Sequence, residues 1–237
     1  MSAGPVNLPA LPAPRPPWVA LLVVAVAFGV VEAVLVTAYR VHLDPHGQLF
    51  PLLPLPRPLA IWERVREAAT LLLLGATAHL ACRRRTSRVA AFFLLFGVWD
   101  VTYYLVLRAS LGWPRGLGDW DLLFLLPVPW LGPVYAPLVV ASVLIAVGIL
   151  VLRDEVRGET FHIHWLHAVA ATVGGLLCVW SFVEDDAARA LVALPARYAV
   201  EYLGLGLALG AIAFVDAFRR HRRARRACAS DATRAAT

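Results

Sequence analysis

The sequence contains no lysine, a single methionine and only three cysteines in 237 residues. All 22 positively charged side chains are therefore arginine. Cys82, Cys178 and Cys228 show no CxxC spacing, and none faces an oxidising compartment in the topology read below, so disulfides are not expected. A Walker A loop, a GxSxG elbow, an HExxH pair and a glycine-rich dinucleotide fingerprint are all missing, which disfavours ATP hydrolysis and serine hydrolase chemistry. CxxCH is missing too, so covalent haem is not expected. Charge is scarce: 16% of the residues are charged against 60% hydrophobic, and the mean hydropathy is +0.69. No soluble domain of this length needs so much apolar surface.

What is present is a series of apolar runs near the roughly 20 residues that span a bilayer. Six are read, at 18–40, 59–82, 89–108, 132–152, 164–183 and 195–217. The expected fold is all-α, a polytopic bundle of six transmembrane helices built from repeated helix hairpins. A proline-rich N-terminus (1–17) precedes the transmembrane domain (18–218), and a basic tail (219–237) follows it. No small-residue cleavage site precedes Glu32, so the first run is read as a retained helix. Arg83, Arg84, Arg85 and Arg88 lie between the second and third runs, and Arg219, Arg220, Arg222, Arg223, Arg225 and Arg226 follow the sixth. An even number of runs separates the two clusters, so the positive-inside rule places both termini in the cytoplasm. The net charge of +6 then reflects topology, and the tail is matched to anionic lipid rather than to nucleic acid.

Residues 28–40, FGVVEAVLVTAYR, line up with 96–108, FGVWDVTYYLVLR, at a constant offset of 68. Glu32 falls on Asp100 and Arg40 on Arg108. Each copy is followed by a proline-rich connection, LPLP at 53–56 and LPVP at 126–129. Runs five and six read as a degenerate third copy, with Ser181 where the acid would stand. Parallel repeats of this kind commonly place a site at the repeat interface.

Glu32, Glu67, Asp100 and Glu201 lie at one level, about 9–12 Å below the outer ends of their helices at 1.5 Å per residue. An acid inside a membrane is a functional-site hypothesis by default. In apolar surroundings its neutral form is favoured unless an arginine or a cation compensates, which suits it to proton exchange. Glu63, Arg40, Arg108, Trp99, Tyr103 and Tyr104 gather at the same level and are read as tuning or gating groups. The bland alternative is that the acids pair with Arg and Tyr to lock helices together, within an ordinary interfacial aromatic belt.

Other chemistry is offered by His42, Asp44 and His46, in HLDPH, as metal ligands, and by His79 and His167 as axial haem ligands. For both sets an ordinary polar loop or interfacial histidine is the favoured reading, and no cofactor is expected. The connection 112–133, apolar and proline-punctuated, is read as an interfacial or re-entrant cap over the acids. Gly206 and Gly210 form a GxxxG pattern that marks close helix packing.

The motifs ExxREAAT (Glu63–Thr70), WDxxYY (Trp99–Tyr104) and DWDxLFLxPVPWxGPV (Asp119–Val134) resemble an uncharacterised group of bacterial polytopic inner-membrane proteins. The resemblance covers roughly residues 30–137. It implies the bacterial inner membrane and brings no activity with it. The functional expectation is proton- or cation-linked binding or transport at the acid layer. Alternatives are an intramembrane acid–base enzyme on a lipophilic substrate, a haem- or metal-bearing redox subunit, and a structural subunit. Six short helices are few for a transporter, which leaves a homo-oligomer open.

Overall fold

The computed structural model describes residues 17–43, 57–157, 161, 163–183 and 197–235. Among them are six helices: α1 (Trp18–Leu43), α2 (Arg57–Ala81), α3 (Arg85–Leu111), α4 (Tyr135–Val156), α5 (Trp165–Val183) and α6 (Val200–Ala235). All but α2 are long and apolar enough to cross a membrane. The first half of α2 carries Glu63, Arg64, Arg66 and Glu67, which lowers its hydropathy. Large apolar side chains cover the outside of the helices: Leu80 is 86% exposed, Val19 77% and Leu72 73%. Apolar patches of this extent are foreign to the surface of a soluble monomer and suit a multi-pass membrane protein.

The fold is all-helical, as expected, with one short β element that the sequence did not announce. The connection between α3 and α4 is a two-stranded antiparallel hairpin, β1 (Trp120–Phe124) against β2 (Trp130–Pro133), with Asp121 opposite Gly132 and Phe124 opposite Trp130. An isolated hairpin is marginal, so packing must hold it. Here the Phe182 ring of α5 closes over Gly132, where a Cβ would come within 2.8 Å of it. The expected boundary at 218/219 also falls inside an unbroken helix. No Gly or Pro follows Phe218, and the Arg- and Ala-rich stretch that does has high helix propensity, so α6 continues to Ala235.

Small residues set the helix crossings, as expected where lipid removes the hydrophobic drive between helices. A Cβ on Gly29 would sit 2.7 Å from the Trp99 carbonyl oxygen, which fixes α1 against α3. Gly97 and Gly148 bring α3 and α4 together; their Cβ atoms would lie 2.6 Å from the Ala141 oxygen and 2.7 Å from the Ala90 oxygen. Gly174 meets Gly206 and Gly210 in the same way and joins α5 to α6, as the GxxxG spacing anticipates. Leu21, Leu74, Leu94, Leu95 and Leu152 fill the core of α1–α4. The α5–α6 pair touches the rest chiefly at β2 and along the margin of α4. A long cleft therefore separates it from α3 and α4.

Candidate functional site

Residues Glu63, Arg66, Glu67 and Thr70 are spaced i, i+3, i+4, i+7 and so share one face of α2. That face meets Glu32 of α1, which is 3% exposed. Thr70 Oγ1 donates to Glu32 Oε1 at 2.6 Å, and the Arg66 guanidinium pairs with Glu32 Oε2. Arg66 also holds Glu63, with Nε 3.1 Å from Oε2. One guanidinium thus bridges two carboxyl groups and gives the buried Glu32 a partner.

The hairpin supplies the next layer. The Leu125 N–H donates to both oxygens of Glu67, each at 2.9 Å, and Arg64 Nε reaches the Leu125 carbonyl at 3.4 Å. In β1, side chains alternate between faces, which turns Asp121 away from Trp120 and into the bundle. Tyr104 Oη donates to Asp121 Oδ2 at 2.9 Å, and Arg40 Nη2 approaches Oδ1 at 3.4 Å. The Arg40 guanidinium lies 4.0 Å from the centre of the Trp113 ring, a cation–π contact that fixes its direction.

Burial pushes the Asp121 carboxyl up to about 6, while Arg40 and the Tyr104 hydroxyl pull the other way. A carboxyl raised in the folded state binds its proton more tightly there than in the unfolded chain. Its contribution to stability is fully present below the ordinary carboxylate value, about 4, and is lost as pH rises through about 6. The thermal midpoint of the wild type should therefore fall from pH 4 to pH 7 relative to that of Asp121→Asn. Parallel pH profiles for the two proteins would contradict this.

Asp100 differs from the other acids. It is 8% exposed and its Oδ2 has no hydrogen-bond partner among the described residues. Trp99 Nε1 and Trp130 Nε1 are likewise buried without a partner. Rings that line the same cavity form a chain: Phe96 to Trp99 at 5.3 Å, Trp99 to Phe124 at 6.3 Å, and Phe124 to Trp130 at 5.4 Å between centroids.

Glu32, Glu63, Glu67, Asp100, Asp121, Arg40, Arg66 and Tyr103 all line one cavity of about 770 Å³ at the hairpin end of the cleft between the α5–α6 pair and the other helices. Beyond them its walls are almost wholly apolar, from Val140 and Val147 of α4 to Leu207 and Phe214 of α6. That size lies within the range of small-molecule sites.

Of the residues expected at the acid layer, Glu32, Glu67, Asp100, Glu63, Arg40, Trp99, Tyr103 and Tyr104 are brought together. Glu201 and Arg108 are not. Glu201 is exposed and pairs with Arg197 one turn away, at 3.1 Å. Arg108 caps its own helix end, donating to the carbonyls of Gly112 and Pro114 at 2.7 and 2.8 Å. Ser181 is buried and hydrogen-bonded to Tyr198 Oη at 2.8 Å. His79 is exposed on α2, whereas His167 bonds Asp216 of α6 at 2.9 Å, so the two do not form an axial pair. Asp44 and His46 lie outside the described residues, as does the side chain of His42. Among the described residues, no group of three or more His, Cys, Asp or Glu side chains could hold a metal ion. Asp121, Arg66 and Thr70 were not singled out as site residues. The i, i+3, i+4, i+7 spacing from Glu63 to Thr70 is the signal that could have found the last two.

No family model, curated protein or solved structure matches this chain. These comparisons neither support nor oppose the resemblance to the bacterial membrane group.

Proposed function

We propose that the chain is a six-span inner-membrane protein whose buried carboxylates form a proton- or cation-binding site serving binding or transport. Asp100 is the exchanging acid. Glu32, Glu67 and Asp121 are held by Arg66, the Leu125 N–H, Arg40 and Tyr104, and form the frame around it. The observation that carries this reading is the Asp100 carboxylate, buried against the cavity with an oxygen that no described residue satisfies. An unsatisfied buried acceptor costs about 1–3 kcal/mol, more if charged, and a proton or cation relieves that cost.

The two arginine clusters support cytoplasmic termini, and the full 25-residue length of α2 is enough for a sixth span. The equivalent placement of Glu32 and Asp100 supports a repeat in which one copy keeps its arginine partner and the other has lost it. Glu201 enters the site only if the α5–α6 pair moves.

The test is difference infrared spectroscopy of the purified protein across a pH step. A carbonyl band of protonated carboxyls should appear in the wild type, and Asp100→Asn should remove its Asp100 component while leaving that of Asp121. A band of full intensity in the variant would sink the reading. A second reading, acid–base catalysis on a lipophilic substrate, is favoured by the apolar walls of the cavity. It predicts a chemically altered lipid after incubation with the wild type and not with Asp100→Asn.

A further inference from the structure

The polar end of the cavity carries five carboxylates and two guanidiniums among the described residues. Both guanidiniums are engaged: Arg66 by Glu32 and Glu63, Arg40 by Asp121 and the Trp113 face. No arginine lining this end is left to receive a phosphate or a carboxylate. The group left over is an acceptor, Asp100 Oδ2, on a residue more than nine-tenths buried that lines the cavity together with Phe96, Trp99 and Phe124. An unengaged carboxyl in a cavity that Trp99 and Phe96 also line suits a cation that both donates a hydrogen bond and lies against a ring.

The rest of the cavity rules out a bare metal ion as its natural occupant. The α4 wall lines it from Pro137 to Val151, about 21 Å of helix. Small residues on the facing pair, Ala171, Gly175 and Gly210, keep that length open. A channel of this shape matches an alkyl chain running along the helices.

We propose that the site takes a long-chain amine, with its protonated ammonium head on Asp100 and its alkyl tail between α4 and the α5–α6 pair. The proposal rests on the reading of Asp100 as the exchanging acid, because the ammonium replaces the proton there. A phospholipid does not meet these terms, since its phosphate would find only engaged arginines.

The test is equilibrium dialysis of radiolabelled hexadecylamine against the protein in nanodiscs, with retention by protein-free nanodiscs subtracted. Saturable binding is expected, displaced by unlabelled hexadecylamine and not by hexadecanoate. Asp100→Asn, which keeps the side-chain shape, should weaken binding roughly a hundredfold through loss of the buried ion pair. Ala171→Phe, which fills the tail channel, should weaken it while leaving the carboxyl infrared band of the wild type in place. Displacement by hexadecanoate as effective as by the amine, or undiminished binding in Asp100→Asn, would overturn the proposal. If hexadecylamine does not bind but the infrared band still depends on Asp100, the proton site stands and the amine proposal falls. If the band is indifferent to Asp100→Asn, the underlying site reading falls with it.

Discussion

Arg66→Ala should lower the unfolding free energy by about 3–5 kcal/mol, the usual consequence of removing one partner from a buried ion pair. Glu32 is almost fully buried, and with Arg66 gone only the Thr70 hydroxyl, among the described residues, would remain to satisfy it. Glu63 would lose the same guanidinium. Neutralising the stranded charge should therefore reverse much of the damage, because a neutral amide needs less solvation than a carboxylate. Denaturant unfolding in detergent micelles should show Glu32→Gln/Arg66→Ala recovering more than half of the loss. A double variant no better than the single one would mean that the Glu32–Arg66 pair is not what the arginine supports. Arg64, on a more exposed face and bonded at 3.4 Å to one carbonyl, should tolerate alanine with a far smaller effect.

The second large effect is expected at Gly97. Its missing side chain lets α3 approach α4 until the glycine faces the Ala141 carbonyl and the Ile145 side chain. Backbone cannot step aside as a flexible side chain can, so Gly97→Leu must push the helices apart along a seam that also holds Gly148 against Ala90. Overpacking of this kind typically costs 1–3 kcal/mol and occasionally more, and the seam places Gly97 toward the upper end, about 3 kcal/mol. Because Asp100 lies one turn from Gly97 on α3, the infrared signal of its carboxyl should shift as well. Gly204→Ala, at a helical position with nothing within 4 Å of the added carbon, is the control and should not destabilise, alanine's helix propensity adding up to about 1 kcal/mol of stability. Equal thermal midpoints for Gly97→Leu and Gly204→Ala would contradict the close crossing.

Helix positions were legible because apolar run length carries them: the run 18–40 became α1 at 18–43, and 89–108 became α3 at 85–111. The hairpin was not. Its strands are five and four residues long, too short for alternation to speak against the prolines, and Phe182, which holds Gly132, lies about 50 residues further on. Level along the axis was legible for the acids, and three of the four meet. Counting residues gives depth but not direction around the helix, which is why Glu201, at the expected depth, points to Arg197 instead. Arg40 and Arg108 hold equivalent places in the repeat and do different things. Arg108 is followed within four residues by Gly112, whose left-handed conformation (φ 64°) ends α3 and turns the next carbonyls back toward it. Arg40 lies beside the hairpin, within reach of Asp121. Similarly, His167 was matched to His79 by depth alone, while its actual neighbour, Asp216, lies on the helix that the Gly174–Gly206 crossing brings alongside.

The unbroken course of α6 has a mechanical consequence. Thirty-six residues at 1.5 Å make a rod about 54 Å long, of which the Gly206–Ala217 portion is a wall of the cavity and the Arg219–Arg226 portion is cationic. With no proline or glycine between the two portions, nothing acts as a joint. A force that pulls the cationic end toward a charged surface is thus transmitted as tilt along the Gly206–Ala217 wall, with the α5 crossing as fulcrum. The helix is a lever whose arm between fulcrum and charged end forms one side of the cleft.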